Sequence, residues 1–110
     1  MPSKVAAIGD IHGCLIELER LTARVLNWFG DQGGTLVLLG DLVDRGPDTR
    51  GVLEFVKAWD HPNISLVVIR GNHEEMMIQS LLHHDLQHQR VWLLNGGMAA
   101  MMSIGDDAED

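Results

Sequence analysis

The stretch Thr35-Leu36-Val37-Leu38-Leu39-Gly40-Asp41-Leu42-Val43-Asp44-Arg45-Gly46 decides the architecture. Five β-prone residues run without polar alternation and stop abruptly at Gly-Asp, which predicts a parallel strand covered on both faces. The same pattern recurs on either side. Lys4 to Ile8 is a short apolar run that ends at Gly9-Asp10, and Ile64 to Ile69 is one that ends at Arg70-Gly71-Asn72. Both read as buried strands.

The intervening segments carry helical spacing instead. From Cys14 to Phe29, Leu15, Leu18, Leu21, Val25 and Phe29 share one face, with Glu17, Arg20 and Arg24 opposite, and Gly30 stops the helix. Asp48 or Thr49 caps a second helix in which Val52, Phe55, Val56 and Trp59 face inward, before His61-Pro62-Asn63 breaks it. A third helix is predicted from Glu74 to about His84, with Met77, Ile78, Leu81 and Leu82 inward. Strand, helix, strand, helix, strand, helix is the order of an α/β fold with a parallel sheet and right-handed crossovers.

At 110 residues the chain is expected to form a single domain, residues 1–110. Eight Lys plus Arg against sixteen Asp plus Glu give a net charge of −8. Such a surface repels a phosphate backbone, so nucleic acid is excluded as a partner. No apolar stretch reaches the ~18 residues of a membrane span, and the apolar start is too short for a signal peptide. With a single cysteine, Cys14, no intrachain disulfide is available. These features predict a cytoplasmic protein. Cys14 itself reads as an inert, half-buried thiol on the first helix. The last residues, from 98 to 110, read as a fraying tail that ends in Asp106-Asp107-Ala108-Glu109-Asp110.

Three blocks carry the chemistry: Gly9-Asp10-Ile11-His12-Gly13, Gly40-Asp41-Leu42-Val43-Asp44-Arg45-Gly46 and Gly71-Asn72-His73-Glu74. Each follows a strand, and open α/β sheets place their ligand crevice beyond the carboxyl ends of the strands. Carboxylate, amide and imidazole groups suit hard and borderline divalent ions such as manganese. Asp10 and His12, two residues apart at a strand end, project to the same side and can reach one ion. His83, His84 and His88 lack a carboxylate companion in such a motif and read as a solvated helix end. Met76, Met77, Met98, Met101 and Met102 read as core filler or exposed apolar surface.

In order and spacing, the three blocks resemble the signature of the phosphoprotein phosphatase branch of the calcineurin-like metallophosphoesterases. The following run Trp92-Leu93-Leu94-Asn95-Gly96-Gly97 resembles the bacterial and phage-type Ser/Thr protein phosphatases. The resemblance implies a β-sandwich flanked by helices, of which this chain supplies the N-terminal half. It also implies two divalent metal ions, manganese first, with iron and zinc as alternatives. Asp10 and His12 would hold the first metal, Asp41 would bridge, and Asn72 would serve the second. Hydroxide formed from a bridging water would attack the phosphorus. His73 would protonate the leaving oxygen with Asp44 orienting its ring, and Arg45 and Arg70 would grip the phosphate. Glu74 matches the motif as a first-turn residue that complements the helix dipole, with no catalytic role.

Members of this family draw two further histidine ligands from a C-terminal half, and nothing after Gly97 resembles those blocks. The chain is therefore expected to be the N-terminal part of a longer domain, its last apolar stretch, Met98 to Ile104, deprived of packing partners. Three functions follow: hydrolysis of phosphoserine or phosphothreonine in a protein substrate, or of a small phosphoester; symmetrical hydrolysis of a dinucleoside polyphosphate; or a non-catalytic metal- and phosphate-binding remnant.

Overall fold

The computed structural model describes residues 4–105. Strand β1 (Lys4–Ile8) leads into helix α1 (Leu15–Phe29), a 3-10 turn (Gly30–Gln32), strand β2 (Gly34–Leu38), helix α2 (Thr49–Lys57), strand β3 (Ile64–Val68) and helix α3 (Asn72–Leu81). Helix α4 (Leu86–Trp92), an irregular turn (Leu93–Gly97) and helix α5 (Met98–Ile104) follow. All strand pairs are parallel, in the order β1-β2-β3, with Ala6 opposite Leu36 and Leu36 opposite Leu66. The α/β reading and its parallel sheet hold.

Consecutive right-handed crossovers between neighbouring strands place α1 and α2 on the same side of the sheet. There Ile8, Leu36, Leu38 and Ile64 pack with Leu18, Phe29 and Val52 in one core. Side chains alternate across a strand, so Val5, Leu39, Val67 and Ile69 point the other way. They are 46–59% exposed. The expectation that these strands are covered on both faces is therefore corrected: one face carries the core and the other is bare, and β3 is an edge strand.

Smaller corrections have similar causes. Leu21 lies off the buried stripe of α1, where Thr22 is buried instead, and Leu82 follows the end of α3 and is exposed. Helix α3 begins at Asn72, two residues earlier than predicted. Asp48 does cap α2, accepting the Gly51 N–H at 2.8 Å. The segment from Met98 to Ile104 is a helix and not a frayed tail. Its Ala100 is fully buried, its Ser103 hydroxyl accepts the Arg50 N–H at 3.0 Å, and Met98 and Met102 remain exposed. The acidic run Asp106 to Asp110 lies outside the described residues. Among those described, no helix is long and apolar enough to cross a membrane.

Candidate metal centre

The first two blocks are loops that leave β1 and β2 side by side and are laced together. His12 N–H donates to Asp41 O at 2.9 Å, Gly13 N–H to Leu42 O at 2.7 Å, and Asp48 N–H to Gly13 O at 2.9 Å. Ile11, Leu42 and Val43 are buried and anchor both loops in the core. Their approach is backbone to backbone: a Cβ on Gly46 would overlap the His12 carbonyl oxygen. Gly46→Ala is therefore expected to part the loops at a cost of about 1–3 kcal/mol, read as a drop of several degrees in Tm.

Five residues of these loops hold a left-handed backbone: Asp10 (φ 53°), His12 (43°), Asp41 (53°), Asp44 (75°) and Arg45 (68°). Asp and His tolerate this region better than most side chains, Arg does not, and each such residue costs on the order of 1 kcal/mol. Strain of this kind persists where surrounding bonds over-determine it. It also changes the reason for convergence. Asp10 and His12 meet through the left-handed curl of a loop, not through strand alternation.

What the curl achieves is a cluster of donors. Asp10, His12 and Asp41 each offer a ligand atom, and these atoms all lie within 4.8 Å of one another. The His12 Nδ1 is 2.9 Å from the Val43 carbonyl oxygen, so it donates there and leaves Nε2 with a free lone pair, as metal-ligating imidazoles are commonly set. Two carboxylates and an imidazole fit a divalent cation by charge and by donor type.

Asn72, exposed at the start of α3, joins this neighbourhood through the backbone beside it. The N–H of His73 donates to Asp41 Oδ1 at 3.1 Å. Asn72 lines a cleft of about 410 Å3 with Glu75, Met76, Gln87, His88 and Val91, a cleft that Asp10, His12 and Asp41 do not line.

His73 is buried and sits edge-on to His12, with ring centroids 4.7 Å apart. Its Nδ1 is 2.8 Å from Asp44 Oδ2, and Asp44 is fully buried. Sequence reasoning missed the third member of this group. The indole N–H of Trp92 lies 2.7 Å from both Asp44 oxygens, and Trp92 is itself buried. Burial pushes the Asp44 carboxyl above its ordinary range, while the bonds from His73 and Trp92 pull it back.

The run after Trp92 now has a physical role. Asn95 and Gly96 break the helix, Gly96 with φ 105°, and their carbonyls accept the Arg45 Nε–H at 3.3 Å and the Arg45 N–H at 3.0 Å. Gly97 lies so close under the indole that a Cβ there would meet Trp92 Cδ2 at 2.5 Å. The turn thus clamps the second loop from behind.

Both predicted anion-gripping arginines are exposed. Arg45 leans on the turn as described, and Arg70 pairs with Glu75 at 3.0 Å, an exposed contact that a better anion can displace. His83 and His84 are exposed and His88 faces Asp85 at 3.2 Å, so the histidine-rich stretch forms no metal cluster among the described residues. Cys14 precedes α1 half-buried, as expected.

Sequence comparisons agree with this geometry. Residues 3–107 match the family model of the calcineurin-like phosphoesterases. The chain is 36% identical over 94 residues to serine/threonine-protein phosphatase 1 of Salmonella typhimurium, an overlap of 84% of this chain and 38% of that protein. It is 46% identical over 67 residues to the symmetrical bis(5'-nucleosyl)-tetraphosphatase of Pectobacterium atrosepticum, and 49% identical over 67 residues to that of Yersinia pestis. Each of these overlaps takes in 61% of this chain and 22% of the relative. The chain thus spans well under half the length of these curated relatives. A matching family model over nearly all its residues, on a parallel sheet whose loops gather donors able to hold a metal ion, establishes that this chain belongs to the calcineurin-like phosphoesterase family.

Proposed function

We propose that this chain carries the catalytic loops of a metal-dependent phosphomonoesterase acting on phosphoserine or phosphothreonine in proteins. The observation that carries the reading is the clustering of the Asp10, His12 and Asp41 donors, with the His12 ring against that of a buried His73 paired to Asp44. Asp10, His12 and Asp41 would hold one cation, and Asp41 with Asn72 part of a second. Manganese suits this oxygen-rich set, as do iron and zinc. Two protein ligands are too few for the second ion, and the remainder would come from outside the described residues, with residues 1–110 forming the N-terminal half of a longer domain. When bound, such cations supply Lewis-acid polarisation of the phosphoryl oxygens and acidify a water molecule.

The remaining steps belong to the chain's own side chains. With Nδ1 committed to Asp44, the His73 Nε2 is the atom that delivers a proton to the leaving oxygen. Asp44 fixes the ring, and Trp92 fixes Asp44. Arg45 and Arg70 bind the phosphate oxygens, since a guanidinium fork matches them in shape and charge.

The protein-phosphatase reading is favoured over hydrolysis of a dinucleoside tetraphosphate by extent. The similarity to the Salmonella phosphatase covers 84% of the chain, against 61% for the tetraphosphatases. The tetraphosphatases' higher identity over the shorter overlap keeps that activity as the second reading. A longer chain that supplies the remaining ligands of the second ion, loaded with Mn2+, should be offered p-nitrophenyl phosphate, a phosphoserine peptide and diadenosine tetraphosphate, beside its Asp41→Asn variant. We expect turnover of the first two, reduced about 100-fold or more in the variant. Turnover of diadenosine tetraphosphate alone would select the second reading. Mn2+ binding with no hydrolysis would reject an enzymatic role for this chain.

A further inference from the structure

Glu74, at the start of α3, satisfies its own helix end by accepting the Gly71 N–H on Oε1 at 2.8 Å. It also reaches across to the second loop. Oε1 accepts the Asp41 N–H at 2.6 Å, and Oε2 accepts the N–H groups of Leu42 at 2.8 Å and Val43 at 3.3 Å. Three successive amides converging on one anion form a nest, a backbone concavity built to hold negative charge.

The consequence lies in the peptide planes. The Leu42 N–H that binds Glu74 and the Asp41 C=O that binds the His12 N–H at 2.9 Å belong to the same rigid peptide unit. The next unit likewise offers the Val43 N–H to Glu74 and the Leu42 C=O to the Gly13 N–H at 2.7 Å. Orienting these two planes therefore orients both metal-binding loops at once. The Asp41 side chain is then pinned from α3, where the His73 N–H holds its Oδ1. A helix-dipole role would require none of the three cross-loop bonds.

We propose that Glu74 is a positioning residue for the metal centre: its carboxylate templates residues 41–43 and thereby sets the donor geometry of Asp41 and His12. This rests on the metal-centre reading above. The test is calorimetric titration of the chain, Glu74→Gln and Glu74→Ala with Mn2+, at a temperature where circular dichroism shows each to be folded. Glu74→Ala should bind about 10–100-fold more weakly, the usual effect of losing a partner that orients metal ligands. Glu74→Gln should fall between it and the wild type, because one oxygen remains while the amide NH2 opposes two N–H donors. Added formate, a small carboxylate that fits the vacated nest, should restore part of the affinity of Glu74→Ala.

Wild-type Kd values in both variants, with only a lower melting temperature, would reduce Glu74 to a helix cap and overturn the proposal. Should Glu74→Ala fail to fold, Glu74→Gln decides alone: an unchanged Kd overturns the proposal and weakening by about threefold or more supports it. A wild-type chain that does not bind Mn2+ would overturn the metal reading and this inference with it. Binding by the wild type and equally by the variants would overturn this inference only.

Discussion

His73→Asn is expected to slow hydrolysis of a phosphoserine peptide by about 100- to 10,000-fold, the range associated with a positioned general acid, while p-nitrophenyl phosphate loses far less. An alkoxide is a poor leaving group that needs a proton as the bond to phosphorus breaks, whereas p-nitrophenolate departs as a stable anion. The asymmetry therefore reports on proton delivery and not on binding. Asparagine is the informative replacement because its amide can still donate to Asp44 from about the place of the imidazole Nδ1, so the buried carboxylate keeps a partner. The measurement is kcat on the two substrates at saturating Mn2+, with Mn2+ affinity as a control. Equal losses on both would remove His73 from the proton path and leave it a packing neighbour of His12, whose ring it meets edge-on.

The sheet and the three donor loops were legible because both are written locally. Each strand is a short apolar run that ends in glycine next to an acid or amide, at Gly9-Asp10, Gly40-Asp41 and Gly71-Asn72, and chain order alone makes the crossovers parallel. The bare face was not legible. Val5, Leu39, Val67 and Ile69 read as core because an unbroken apolar run looks the same whether one or two layers cover it. Helix α4, at seven residues, is too short to leave a periodic signal, and α5 was hidden in the segment read as tail.

The site divides in the same way. Asp10, His12, Asp41 and Asn72 announce themselves by residue type and position after a strand. The groups that hold them do not. Glu74 acts on amides 31–33 residues away, and Trp92 acts on a carboxylate 48 residues away. A hydrogen bond to a distant backbone has no sequence signature, and the left-handed backbone of Asp10 and His12 gives none either. The candidate donors could be picked out by residue type, whereas the groups that hydrogen-bond across the loops required the fold.

Trp92 carries the second large effect. Trp92→Ala should cost about 3–5 kcal/mol, as expected for deleting a buried aromatic, and lower Tm by more than about 10 °C. Trp92→Phe separates bulk from hydrogen bonding: it keeps most of the apolar volume but removes the indole N–H from Asp44, at about 1.5–3 kcal/mol for a bond to a charged group. The sign of its pH dependence follows from Asp44. Burial already lifts that carboxyl above its ordinary range, and the indole is one of the groups holding it down. Without the N–H the native carboxyl rises further, so native Asp44 keeps a proton that the unfolded chain has released. A carboxyl raised in the native state loses stability as pH climbs from the ordinary carboxylate range through the native value. The melting-temperature gap between wild type and Trp92→Phe should therefore be small near pH 4 and widen toward neutrality. A gap constant across that window would mean that the indole N–H does nothing for the Asp44 carboxylate and that Trp92 supports the second loop by bulk alone.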